Sequence, residues 1–247
     1  MTPDKTDFRT GVIKPVECLK EGWGLIKDQY WLVFGISLVG MLIGGAVPIV
    51  LMGPMMSGIF LCLFQRQRSQ RVEFGTLFKG FDYFVQSLIV TAIKVIPLFV
   101  LLVPFYIVMM VVMFTTMPRG QTSPDKTSSF MLGIFGLEMV FFVVVMVVSI
   151  LIETFFMFAF PLVVDRKLSG LDAVKLSFKA GKANLGGVLG LLLLNAALGF
   201  VGVLCCFIGV YFFLPVSFAA ISVAYRRVFP DIPESLAMPP PPPASWA

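Results

Sequence analysis

The chain contains no histidine and carries little charge. Of its 247 residues, 13% are charged and 58% are hydrophobic, whereas a soluble domain is about one quarter charged and about half apolar. Without histidine the chain lacks the commonest general base, the usual partner of a nucleophilic serine or cysteine, and a frequent zinc ligand. It also lacks GxGxxG, P-loop, GxSxG and HExxH patterns. We therefore expect no catalytic residues, no metal site and no cofactor.

Cysteine is also scarce, and no two cysteines form a CxxC pair. The four are Cys18, Cys62, Cys205 and Cys206. Adjacent cysteines on one helix point in different directions, so small apolar packing is favoured over a metal or redox role. The net charge of +5 lies beside apolar runs, as in a membrane protein, and does not indicate nucleic-acid binding.

Long apolar runs predict an all-α polytopic transmembrane bundle of about six spanning helices in three hairpins. The predicted spans are 31–47, 50–65, 85–115, 130–164, 185–203 and 206–225. We place Pro48 in the first turn and Cys205 with Cys206 in the last. The first two spans are short enough that a re-entrant hairpin is an alternative. The third and fourth must tilt or project, with kinks expected at Pro97 and Pro104 and a solvated loop over 116–129.

The distribution of lysine and arginine predicts the orientation. Sixteen of these residues flank one side of the predicted spans and two flank the other, which places the richer side and both termini in the cytoplasm. The first 30 residues carry charges throughout, so no cleaved signal peptide is expected. The predicted organisation is a cytoplasmic amphipathic segment at 1–30, one transmembrane domain at 31–227, and a flexible proline-rich cytoplasmic tail at 228–247.

Three basic segments have apolar residues at helical spacing: 14–30, 74–84 and 168–178. Ser169 and Asp172 are spaced as a helix N-cap. We expect each segment to lie in the membrane interface with its basic side chains toward anionic lipid headgroups. The candidate headgroup ligands are Arg66, Arg68, Arg71, Lys79, Arg166, Lys167, Lys175, Lys179 and Lys182.

The chain thus divides into three units, each an amphipathic helix followed by a hairpin. Units one and three share a lysine before the first span, a proline in the second, and an arginine soon after that proline. These residues are Lys27, Pro54 and Arg66 in unit one and Lys182, Pro215 and Arg226 in unit three. An old duplication explains the match, and so do similar constraints on similar hairpins.

Charged residues inside predicted spans are costly and are candidates for function. Lys94 and Glu153 fall at similar depths of antiparallel neighbours, so we predict that they are in contact. The pair either neutralises itself and fixes helix register or couples to a proton or ion. Glu138 is nearer the outer end, where water can solvate it.

Small and polar residues in the apolar helices predict helix packing. Asn195 is expected to make an interhelical hydrogen bond. Two small-xxx-small faces, Gly40/Gly44 and Gly186/Gly190, are expected at close helix contacts.

Two stretches carry a family resemblance. They are MGPMMSGIFLCLFQRQRSQRVEFGTLFKGFDYF (52–84) and FPLVVDRKLSGLDAVKLSFKAGKANLGGVLGLLLLN (160–195). Together they resemble a broad family of bacterial six-helix membrane proteins of unknown function, similar to the membrane domain of some glycerophosphoryl diester phosphodiesterases. The resemblance implies a multi-pass protein of the bacterial cytoplasmic membrane. It does not imply phosphodiesterase activity, because the soluble hydrolase domain is absent from this sequence.

The sequence favours a non-enzymatic accessory, organising or assembly factor for membrane components. Its expected partners are membrane lipids and a membrane protein or a second copy of the chain, and not nucleic acid. The alternative is a small transporter or channel subunit that uses Glu153 and Lys94. An intramembrane lipid-modifying enzyme is the third hypothesis, although the sequence shows no nucleophile and base at one depth.

Overall fold

The computed structural model describes residues 6–116, 124–204 and 208–231, and these are almost entirely helical, with no strand among them. The α-helices are α1 (Pro15–Ile26), α2 (Tyr30–Ala46), α3 (Pro48–Gln67), α4 (Phe84–Thr116), α5 (Pro124–Phe156), α6 (Ala159–Asp165), α7 (Gly170–Ala183), α8 (Leu185–Leu204) and α9 (Ile208–Val228). Two 3₁₀ helices cover Lys27–Gln29 and Phe74–Tyr83. Six helical stretches are long and apolar enough to cross a membrane. The protein is a multi-pass helical membrane protein, as predicted.

Two helices begin earlier than the sequence predicted. Pro48 is the first residue of α3 and not part of a turn, because proline suits the first helical position, where no backbone N–H is needed. For the same reason α5 begins at Pro124. Because α4 extends through Thr116, the loop predicted over 116–129 is wrong for residue 116 and for residues 124–129. Residues 117–123 and the predicted turn at Cys205 and Cys206 lie outside the described residues. So does the tail beyond residue 231.

The single helix predicted over 130–164 is interrupted between α5 and α6. The Ser177 hydroxyl of α7 donates to the Phe155 carbonyl oxygen at 2.6 Å and accepts from the Phe158 backbone N–H at 3.2 Å. A side chain inserted into the hydrogen-bond ladder in this way bends or ends a helix. The Ser169 N-cap that begins α7 is confirmed, since its hydroxyl accepts from the Asp172 backbone N–H at 3.2 Å.

The core lies at one end of the bundle. This basic end is formed by the C-terminal ends of α3, α6 and α9 and the first turns of α4 and α8, together with α1, α7 and the 3₁₀ helix Phe74–Tyr83. Fully buried side chains there include Phe60, Leu63, Leu162 and Tyr225. The far halves of α4 and α5 are instead exposed along nearly their whole length. The helices therefore bury most of their core at the basic end and leave the α4–α5 hairpin exposed toward the opposite, apolar end.

The three hairpins α2–α3, α4–α5 and α8–α9 pack in cyclic order. The 3₁₀ helix Phe74–Tyr83 packs on α3, α7 packs on α5, and α1 packs on α9. The first helix of each hairpin follows the same rule, because α4 contacts α3, α8 contacts α5, and α2 contacts α9. Each unit thus rests on the preceding one, and the first unit rests on the third.

A glycine permits close backbone approach at each of these three contacts. A Cβ on Gly22 would lie 2.7 Å from the Ala220 nitrogen, and one on Gly181 would lie 2.8 Å from the Thr154 oxygen. A Cβ on Gly80 would overlap the Pro54 carbonyl oxygen. Any larger side chain would force the amphipathic helices away from the bundle.

The predicted glycine faces are confirmed only in part. Gly40 and Gly44 lie against Ile59 and Met52 of α3. The pair Gly186/Gly190 does not form one packing face, since nothing lies within 4 Å of a Cβ on Gly186. The packed glycines of α8 are Gly187 and Gly190, which receive Ile13 and Pro15 of the N-terminal segment.

Candidate functional site

Lys94 of α4 and Glu153 of α5 form the predicted contact. The Lys94 Nζ atom lies 2.6 Å from Glu153 Oε1, with side chains 25% and 50% exposed. Lys94 is ten residues from the start of α4, about 15 Å along the helix axis at 1.5 Å per residue. The pair therefore joins the two longest helices just above the packed basic end.

Glu138 lies higher on the same hairpin and borders an apolar groove on each side. The first groove has a volume of about 720 Å³ and is lined by methionine, aromatic and aliphatic side chains of α4 and by Ile134 of α5. The second, of about 280 Å³, is flanked by the stacked rings of Phe105 and Phe141. Neither lining includes Lys94 or Glu153. In the described part of the chain, no basic side chain pairs with Glu138.

Most predicted headgroup ligands are exposed at the basic end. They are Arg68, Arg71, Lys79, Lys167, Lys175, Lys179 and Lys182. Phe74, Phe78 and Phe81 are exposed on their 3₁₀ helix, and Leu171 and Phe178 are exposed on α7. A helix that lies in the membrane interface needs exposed apolar side chains next to exposed basic side chains.

Two of the predicted ligands instead hold the protein together. Arg66 donates to the Leu25 carbonyl oxygen at 2.8 Å and to Asp28 at 2.9 Å. Arg166 is 5% exposed, and its guanidinium donates to the Pro230 carbonyl oxygen at 2.8 Å. The prediction that Arg166 faces lipid headgroups is wrong, because α6 turns its side chain into the bundle.

A buried charge cluster at the basic end escaped the sequence analysis. The Arg226 guanidinium of α9 donates two hydrogen bonds, of 2.7 and 2.9 Å, to the Asp165 carboxylate of α6. The Tyr225 hydroxyl donates to the same carboxylate at 2.7 Å, and Gln67 of α3 accepts from Arg226 at 3.1 Å. One signal for this cluster was present in the sequence, which is that Asp165 directly follows an apolar run. The cluster connects α3, α6 and α9, and loss of one charged partner would leave the other buried without a counter-charge.

Three side-chain amides, also missed from the sequence, join successive units. Each amide stands at the start of a hairpin and accepts a backbone N–H from the segment that begins another unit. The pairs are Gln29 with Val72 at 3.4 Å, Gln86 with Gly170 at 2.7 Å, and Asn184 with Gly11 at 2.8 Å. We call these contacts the amide joints. Their order is the cyclic order of the hairpins.

The third amide joint depends on an N-terminal strap, residues 6–14. The Arg9 backbone N–H donates to the Val228 carbonyl oxygen at 2.8 Å, and the Arg9 carbonyl accepts from the Asn184 amide at 3.1 Å. Gly11 has a φ of +70°, a left-handed conformation that suits glycine. The strap thereby connects the last helix of the chain to the first unit.

Asn195 does not form the predicted interhelical hydrogen bond. Its Oδ1 atom is buried and has no hydrogen-bond partner among the described residues.

Comparison of the chain with protein-family models, with curated proteins and with solved structures found no match. The charged groups of the site are either paired inside the bundle or displayed at the surface.

Proposed function

We propose that the protein is a non-enzymatic accessory, organising or assembly factor for membrane components. Its membrane is the bacterial cytoplasmic membrane, with the basic end and both termini in the cytoplasm. The observation that carries the proposal is the contrast between a tightly packed base and the bare apolar hairpin α4–α5.

The length of this hairpin supports a protein partner. Each of its helices has 33 residues, which extend about 50 Å at 1.5 Å per residue. The hydrocarbon core of a bilayer is about 30 Å thick. The hairpin therefore leans strongly or carries its tip beyond the lipid tails. Phe114 and Leu132 near that tip are 70% and 72% exposed. Lipid tails cover such side chains inside the bilayer, but where the tip extends beyond the lipid, exposed apolar surface is typical of a binding site.

Glu138 places a negative charge on this surface, and a protein partner would have to neutralise it. It is bordered by apolar grooves on both sides, so a covering protein would remove it from water. An unpaired carboxylate in that setting is costly. A partner helix with a lysine or arginine at the same level would neutralise it, and the methionines of the larger groove can adapt to the partner's shape.

The basic end suits the same role by fixing the protein to the inner leaflet. Its exposed lysines and arginines face anionic headgroups, each contributing about 1 kcal/mol near such a surface. The transport alternative rests on the Lys94–Glu153 pair. The two grooves beside the hairpin do not reach that pair, which supports the accessory role over transport.

Site-specific photo-crosslinking in living cells tests the proposal. A photoreactive residue replaces Val108 on α4, and a control variant carries it at Leu193 on α8, which is as exposed. We expect one discrete heterologous adduct from position 108, weakened by Glu138→Gln, and none from position 193. Lipid adducts alone at position 108, or an adduct of twice the chain mass, would contradict the accessory role.

The orientation is tested separately with a membrane-impermeant maleimide. Both variants lack Cys205 and Cys206 and retain the buried Cys18 and Cys62. Ser69→Cys at the basic end should react only after the membrane is opened, whereas Ser128→Cys should react in intact spheroplasts. The reverse labelling pattern would invert the topology.

A further inference from the structure

A third apolar groove, distinct from the two beside Glu138, lies between the first and third units. It has a volume of about 630 Å³, within the range of about 300–1,000 Å³ that is usual for ligand sites. Its walls come from α1 and α2 on one side and from α8 and α9 on the other. The lining consists of Leu19, Lys20, Trp23, Tyr30, Trp31, Leu198, Phe212, Phe213 and Val216.

The groove offers almost nothing to a polar ligand. The Tyr30 hydroxyl donates to the Phe212 carbonyl oxygen at 2.7 Å, so this polar group is already satisfied. The rings of Trp23, Tyr30, Trp31 and Phe212 belong to one connected aromatic cluster. Tryptophan and tyrosine collect where the hydrocarbon of a membrane meets its headgroups. The groove therefore fits an alkyl chain at that depth.

Lys20 gives one edge of the groove a positive charge. The nearest acidic residues of its helix are committed elsewhere, because Arg227 binds Glu17 at 3.1 Å and Glu21 at 2.6 Å. Lys20 is exposed, and among the described residues no acidic side chain pairs with it. The groove thus combines an apolar channel with a single cation at its edge.

We propose that this groove binds an anionic phospholipid, with an acyl chain between the two units and the phosphate at Lys20. A zwitterionic lipid would fill the channel equally well but would gain less from Lys20. The inference rests on the proposed placement of the basic end at a membrane surface, and it does not require the protein partner of α4–α5.

Tryptophan quenching by brominated lipid tests the site. Trp246→Phe leaves Trp23 and Trp31, both in the groove, as the only tryptophans. The full-length protein is placed in phosphatidylcholine vesicles that contain a small, equal fraction of brominated phosphatidylglycerol or brominated phosphatidylcholine. We expect stronger quenching by the phosphatidylglycerol. Lys20→Gln should lower its relative affinity about fivefold, while Lys20→Arg, which keeps the positive charge, should retain the preference for phosphatidylglycerol.

A second variant tests the channel itself. Leu198→Phe narrows the groove without changing charge and should reduce quenching by both lipids, with melting temperature as the check on folding. Equal quenching by the two lipids, or an unchanged preference in Lys20→Gln, would overturn the proposal. Neither result would affect crosslinking from position 108, so the lipid site and the accessory role can each be disproved without the other.

Discussion

Lys94 and Glu153 neutralise each other across the α4–α5 hairpin at a separation of 2.6 Å. They meet where the hairpin leaves the packed base, which lets one ion pair fix the register of two long helices. A charge without its partner at this depth would be costly. The pair therefore has a structural reason to exist whether or not an ion passes it.

Glu153→Gln should leave Lys94 without a counter-charge. We expect a loss of about 1–3 kcal/mol in stability, because removing one partner leaves a poorly solvated charge. Thermal melting in detergent measures the effect. The double variant Lys94→Met/Glu153→Gln should recover part of the loss. Unchanged melting in both Glu153→Gln and the single variant Lys94→Met would contradict a stabilising role for the pair.

Asp165→Asn should cost more than the loss of a surface ion pair. Asp165 is buried and receives both Arg226 and Tyr225, and breaking a buried pair typically costs about 3–5 kcal/mol. The control is Asp28→Asn, which breaks the exposed pair with Arg66 and should cost at most about 1 kcal/mol. Equal melting of the two variants would show that the buried cluster contributes no special stability.

Gly80→Ala should separate the 3₁₀ helix Phe74–Tyr83 from α3. The added methyl group would overlap the Pro54 carbonyl oxygen, and overpacking of this kind costs about 1–3 kcal/mol. Gly75→Ala lies in the same helix with nothing within 4 Å and serves as the matched control. Comparable melting curves for both variants would mean that the close approach is not required.

Asn184→Ala should release the N-terminal strap. The amide of Asn184 holds Gly11 and the Arg9 carbonyl, so its removal should cost about 1–3 kcal/mol and expose the bond after Arg9 to trypsin. Gln86→Ala breaks a different amide joint and should leave that bond protected. Equal cleavage rates in the wild type and Asn184→Ala would contradict the role of the amide.

The sequence predicted the helices because lipid leaves a spanning backbone no alternative to internal hydrogen bonds. It also predicted the Lys94–Glu153 contact, since residue count along two antiparallel helices sets depth. Depth alone was not enough for Asn195, because a hydrogen bond also needs a donor on the facing helix.

The contacts between units were beyond the sequence. Gln29, Gln86 and Asn184 are ordinary residues at helix starts, and only the three-dimensional order of the hairpins brings backbone N–H groups to them. The headgroup prediction for Arg166 failed for a related reason. Counting charges places Arg166 at the basic end, but it does not show whether the side chain points into the bundle or toward the lipid. The break before α6 likewise depends on Ser177, which is distant in sequence.

The contact between Arg9 and Val228 brings the beginning and the end of the described chain side by side at the third amide joint. Every unit then has the same neighbours, whichever one the polypeptide enters first. A circular permutant that starts in the segment before the 3₁₀ helix Phe74–Tyr83, with the old ends joined by a short linker, would keep all three joints. Connectivity, and not packing, decides which hairpin comes first.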